Sequence, residues 1–160
     1  MKKTADYSLI DYDNCITNLT SSIQKYYGIK PNYKTNKIAD ELLSQKDYDN
    51  VLIILFDAMG VNIIDKHAKS NTFIQINKIS EMKSCYPPTT ANCTTAYVSG
   101  KNPCVTGWLG WSSYFKDIDL CVDNFTNKIS GTEKFIEGES VAHKYLPFEE
   151  LGNEIEEATN

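Results

Sequence analysis

Apolar positions recur at helical spacing near the start of the chain. Ile16, Leu19, Ile23 and Tyr26/Tyr27 fall three or four apart, and Gly28 follows as a C-cap, so the pattern predicts a helix over 16–27. Ile38, Leu42 and Leu43 predict a second amphipathic helix over 37–46. The pattern then changes. Val51 to Phe56 is an unbroken apolar run between polar flanks, which predicts a strand buried on both faces, as in a parallel sheet. A helical pattern resumes over 61–68, and Ile79 to Tyr86 predicts a weaker strand stopped by Pro87-Pro88. Thr89 or Thr90 is placed to cap a helix that runs to about Val98 and ends at Gly100. Ile118 to Phe125 alternates loosely, as a strand does, and Leu146 to Ala158 predicts a closing helix that begins near Pro147. Helix, strand, turn, helix is the rhythm of a doubly wound α/β fold, which places ligands at the carboxyl ends of its strands.

Composition narrows the chemistry. The 160 residues suffice for one domain with its own core. The net charge is −5, the basic residues are all lysines, and none cluster beyond Lys2-Lys3, so no nucleic-acid-binding patch is present. Without arginine there is no bidentate phosphate clamp, and an anionic substrate would have to be met by metal ions or helix ends. The five cysteines, Cys15, Cys85, Cys93, Cys104 and Cys121, form no close pair, which argues for reduced thiols. The opening residues lack the apolar run of a signal peptide, and 51–56 is too short to span a bilayer. A cytoplasmic protein with no membrane partner is expected.

Two segments carry candidate chemistry. Asp57 follows the apolar run, where a carboxylate either ligates a cation at the mouth of a sheet or closes an Asx turn ahead of the next helix. Thr89 and Thr90 stand where a helix begins. A hydroxyl there faces free amides and the positive end of the dipole, and serves either as a plain N-cap or as a nucleophile beneath a phosphoryl group. A threonine nucleophile needs an activator, and with no histidine nearby a metal is the better candidate. A serine esterase is disfavoured because no G-x-S-x-G elbow occurs.

Together, the strand ending in FDAMG (56–60), the YPPTT turn (86–90), the VSG-x-x-P stretch (98–103) and GWLGW (107–111) resemble the alkaline phosphatase superfamily, specifically its type I phosphodiesterase/nucleotide pyrophosphatase-like branch. The resemblance runs from about residue 35 onward. It implies a partial, truncated doubly wound sheet of the alkaline phosphatase-like fold over 36–160, preceded by a helical extension over 1–35. It implies that Asp57 binds a catalytic metal. It makes Thr90, with Thr89 as the fallback, both metal ligand and nucleophile of a two-step displacement through a phospho-threonyl intermediate. The implied cofactors are two divalent metal ions, of the zinc type, and the implied substrate is a phosphoester or nucleotide-like small molecule. Trp108 and Trp111 are placed to stack on a base or line an apolar pocket, or else to pack in the core.

The departures are specific. Thr106 stands where the family has a histidine, and Trp111 where many members have an asparagine. The family's second-half Asp and His ligands have no counterpart. Glu139 and His143 imitate an i, i+4 ligand pair but fall too early, and His67, beside Lys66 late in a helix, is expected at the surface. The metal site is therefore incomplete in this chain. That points to the nucleophile half of a truncated or split hydrolase, whose partner is the missing C-terminal half. The alternative is a catalytically inactive fragment or binding module.

Overall fold

The computed structural model describes residues 11–159. Helix α1 (Ile16–Tyr26) ends where expected, with Gly28 left-handed at φ 76°. Its packing differs from the apolar face expected for it. Ile23 is buried, but so are Thr17, Asn18, Thr20, Ser21, Ser22 and Gln24. Polar groups can be buried at low cost only when bonded, and these are. Thr17 donates to Asn102 Oδ1 at 3.0 Å, Asn18 to the Lys34 carbonyl at 2.8 Å, and Thr20 to the Tyr97 carbonyl at 3.1 Å. Ser22 donates to the Asn36 carbonyl at 3.1 Å, and Gln24 to Glu154 at 2.8 Å. Helix α1 is thus tied by hydrogen bonds to the loop after it and to later helices.

Helix α2 (Lys37–Leu43) is capped by Asn36, whose side chain accepts from the Ala39 N–H at 3.0 Å, and it stops three residues short of Lys46. Residues 51–56 follow. They form no helix and belong to no sheet, and Leu52 is 82% exposed with Ile54 at 65%. The strand buried on both faces is therefore not what forms: neither edge of the run has a backbone partner among the described residues, so nothing holds its faces under cover. Helices α3 (Val61–His67) and α4 (Phe73–Ile76) come next, the first as expected. The candidate strand over 79–86 is reduced to a single parallel bridge between Cys15 and Lys83.

Helix α5 (Thr90–Ser99) begins after Thr89 and ends on Gly100, which is left-handed at φ 61°, as the pattern predicts. A short α6 (Pro103–Thr106) opens on its proline and closes on left-handed Gly107. The sheet is a three-stranded antiparallel meander of β1 (Ser112–Phe115), β2 (Leu120–Asp123) and β3 (Lys128–Ile129), in the order β1-β2-β3 with Phe115 opposite Leu120 and Val122 opposite Ile129. Of the stretch 118–125, only the β2 residues pair. Helix α7 (Val141–Tyr145) and the meander enclose the apolar core of Trp108, Phe115, Val122, Val141 and Ala142. Helix α8 (Leu151–Thr159) starts four residues after Pro147, and the Leu146 carbonyl accepts from the Trp108 indole N–H at 3.0 Å. The chain is a mixed α/β structure whose described sheet is small and antiparallel rather than parallel and doubly wound. No described helix is long and apolar enough to cross a membrane.

Candidate functional site

Asp57 and Thr90 meet across 33 residues of sequence. The Thr90 hydroxyl donates to the carboxylate of Asp57, 3.2 Å from Oδ1 and 3.4 Å from Oδ2. Each gets there by local geometry. Asp57 directly follows the apolar run, and the backbone turns immediately after it through Ala58 at φ 55° into the Gly60 cap of α3. Thr90 is the first residue of α5, and Thr89, the N-cap, makes no side-chain cap, which leaves the first-turn amides uncapped. Of the two candidate threonines, Thr90 is the one bonded to Asp57.

Helix α5 braces the turn that presents Thr90. Asn92, fully buried, donates from its side chain to the Pro87 carbonyl, and the Thr89 N–H bonds the same carbonyl at 2.9 Å. The Cys93 thiol points to the Cys85 carbonyl at 3.9 Å. The turn is therefore held from the helix that follows it.

The pair sits in a cavity of about 980 Å³. Ile53, Leu55, Phe56 and Asp57 form one wall, Thr89, Thr90, Thr94 and Tyr97 another, and Trp111 reaches the lining. The walls are mainly apolar. Burial pushes the Tyr97 phenol up to about 12, so it is a neutral hydroxyl at any ordinary pH. Trp111 is 49% exposed and meets Phe125 edge-on, with ring centroids 6.1 Å apart. Trp108 is elsewhere: it is 1% exposed, stands in the core against Phe125, Phe148 and His143, and does not line the cavity. Its place in the core leaves Trp111 as the tryptophan able to touch a ligand there.

The other sequence candidates are dispersed. His67 is exposed on α3. Helix α7 starts at Val141, so Glu139 lies outside it and does not share a helical face with His143, whose ring stacks 5.0 Å from Phe148. Thr106 is buried, and its hydroxyl accepts from the Trp108 N–H at 3.3 Å. Among the described residues no group of three His, Cys, Asp or Glu side chains converges to hold a metal ion.

Asn92 and Tyr97 were missed by pattern reading. Thr90, Cys93, Thr94 and Tyr97 are spaced to share one face of α5, so a helical projection from Thr90 would have found Tyr97. Asn92 carries no such signal, because its role is to brace a turn. Compared with known protein families, curated proteins and solved structures, the chain matches none of them.

Proposed function

We propose that this chain carries the nucleophile and one metal ligand of a metal-dependent phosphoester hydrolase of the phosphodiesterase/nucleotide pyrophosphatase type, on an alkaline phosphatase-like α/β fold. One observation carries the reading: Thr90 Oγ1 and the Asp57 carboxylate, far apart in sequence, are 3.2 Å apart in the lining of a cavity and at the start of a helix. Two oxygen donors at that spacing suit adjacent positions around one divalent cation with metal–oxygen bonds of about 2 Å. They do not complete the site, since catalytic zinc takes about three protein ligands. Asp57 and Thr90 would hold such an ion, zinc by preference, which supplies positive charge that makes the hydroxyl more acidic and offsets the charge of a phosphoryl group.

The chain's own residues do the rest. Asp57 orients Oγ1 toward the cavity. Oγ1 gives up its proton to solvent and attacks phosphorus, a P–O bond to Thr90 forms, and the bond to the leaving alcohol breaks as that oxygen takes a proton from water. A second water then attacks phosphorus, and the Thr90 oxygen leaves and regains its proton. The uncapped first-turn amides of α5 offer hydrogen bonds to the phosphoryl oxygens now on Thr90. The apolar walls and Trp111 suit an aryl or nucleoside substituent on the phosphate.

The remaining ligands would come from a further segment, on this chain or on a second one, that pairs with the run 51–56. The bare run 51–56 supports this: it leads directly to Asp57, it is apolar, and its backbone bonds nothing among the described residues. The test is hydrolysis of bis-p-nitrophenyl phosphate with zinc or manganese, by the chain alone and co-purified with the product of any adjacent reading frame. Turnover by the pair only, lowered at least about a thousandfold by Thr90→Ala, is the expected result. If the pair neither binds metal nor turns over, the chain is a binding module and the hydrolase reading falls.

A further inference from the structure

Helix α5 has two unlike faces. Asn92, Thr95 and Ser99 are fully buried, whereas Thr94 and Tyr97 are half-buried and line the cavity that holds Thr90. The three cavity residues follow the helical repeat. Thr94 stands about 6 Å and Tyr97 about 10 Å from Thr90 along the axis, on one face. The Ser99 hydroxyl donates to the Thr95 carbonyl at 2.7 Å, and the Thr20 hydroxyl to the Tyr97 carbonyl at 3.1 Å. The hydroxyls of Thr94 and Tyr97 have no hydrogen-bond partner among the described residues, and neither is sealed from the cavity.

Charge in this cavity is one-sided. Among the described residues that line it Asp57 alone is charged, and no lysine reaches it. Away from the Asp57–Thr90 pair the walls offer apolar side chains and uncharged polar ones. A second anionic group placed there would lose its water and meet no countercharge, which is costly. A neutral acceptor loses less, and it gains a donor in the Tyr97 phenol, which burial keeps protonated.

We propose that Tyr97 is a specificity-determining residue, whose hydroxyl donates to an uncharged acceptor, a carbonyl oxygen or ring nitrogen, about 8 Å from the substrate phosphorus. The substrate class that follows is a phosphodiester with one uncharged aryl or heteroaryl substituent that carries this acceptor. The substituent lies along α5, with its ring against Ile53, Leu55 and Phe56 of the other wall. A diphosphate, with its second charge, is selected against. The inference rests on Thr90 being the nucleophile, as proposed above, because the spacing is counted from its hydroxyl.

The test measures binding rather than turnover. Three methyl aryl phosphates, with acetyl, isopropyl or carboxylate at the para position, are titrated by calorimetry into the full chain with zinc present. The acetyl ester is expected to bind about fivefold tighter than the isopropyl ester, and the carboxylate ester at least about tenfold weaker than the acetyl ester. Tyr97→Phe should bring the acetyl ester to the isopropyl value and leave the isopropyl ester within about twofold of its own. Thr94→Val, which removes the hydroxyl nearer Thr90, should keep the acetyl preference. Equal binding of the three esters, no binding of the acetyl ester, or a preference that survives Tyr97→Phe would each overturn the proposal. If either variant misfolds, the parent's ranking of the three esters decides it. Those results leave the hydrolase reading to its own turnover assay. A Tyr97-dependent preference without turnover by the completed protein would instead overturn the hydrolase reading and leave Tyr97 in a binding site.

Discussion

A β-carbon built on Gly100 lies 2.9 Å from Thr20 Cγ2, with Asn32 and Gln24 side-chain nitrogens at 3.3 Å, and Gly100 has φ +61°. Helices α1 and α5 approach so closely here that the residue ending α5 can have no side chain. Gly28 is a useful comparison, since it has φ +76° and nothing within 4 Å of the same probe position. Gly28→Ala is expected to cost about 1 kcal/mol, the backbone penalty alone. Gly100→Ala adds overpacking and is expected to cost about 2–3 kcal/mol. Urea unfolding of both variants isolates the steric part.

Asp40 links α2 to α1. Its Oδ2 accepts from Lys25 Nζ at 2.7 Å and from the Thr35 hydroxyl at 2.8 Å. Burial alone would raise its carboxyl, but the Lys25 ammonium and the nearby hydroxyls of Ser22 and Thr35 outweigh that and hold it below the ordinary carboxylate value. A folded value below the unfolded one gives stability that is present above about pH 4 and lost as pH falls through the folded value. Asp40→Asn should therefore cost about 1 kcal/mol or less at neutral pH, because Lys25 is largely exposed. Its midpoint in urea should converge with that of the parent in strong acid.

The two tryptophans report separate regions. Trp108 is buried and bonded to the Leu146 carbonyl, while Trp111 is half exposed at the cavity. In Trp111→Phe the remaining emission should be blue-shifted relative to Trp108→Phe. Trp108→Ala should cost about 3–5 kcal/mol, by emptying the core beside Phe115 and Val122. A phosphate ester entering the cavity should quench Trp111 and leave Trp108 unchanged.

Helix positions were largely legible because capping chemistry is local. Gly28 and Gly100 end their helices through left-handed backbone turns, and Thr89 stands at the start of α5 in extended backbone without a side-chain cap. The meeting of Asp57 with Thr90 was legible only through the combined resemblance of their two segments, since neither residue stands out by itself. What the pattern hid was tertiary. The apolar spacing of α1 gives no sign that Thr17, Asn18 and Thr20 are buried, because their partners lie as far away as Asn102 and Tyr97. The run 51–56 reads as a buried strand because its residues are apolar, but burial needs neighbouring strands, and a local pattern says nothing about who supplies them.

The exposed run yields a further prediction tied to the proposed partner segment. Ile54→Lys replaces a side chain that is already largely in solvent, so the isolated chain should lose no more than about 0.5 kcal/mol by urea unfolding. Where the partner segment is a separate polypeptide, co-purification with it should be abolished, since a lysine would be buried between strands. Retained co-purification would place the partner elsewhere.

The polar packing of α1 and the bare face of 51–56 also shape the calorimetry of this chain. Heat-capacity change on unfolding reports apolar surface newly wetted, and here Leu52, Ile54 and Phe56 are wet before unfolding begins, while α1 releases mostly hydrogen-bonded groups. The change per residue should fall below the usual ~12–15 cal/mol/K. The stability curve is then flatter, with a broad optimum and a shallow melt, and covering the run should steepen it.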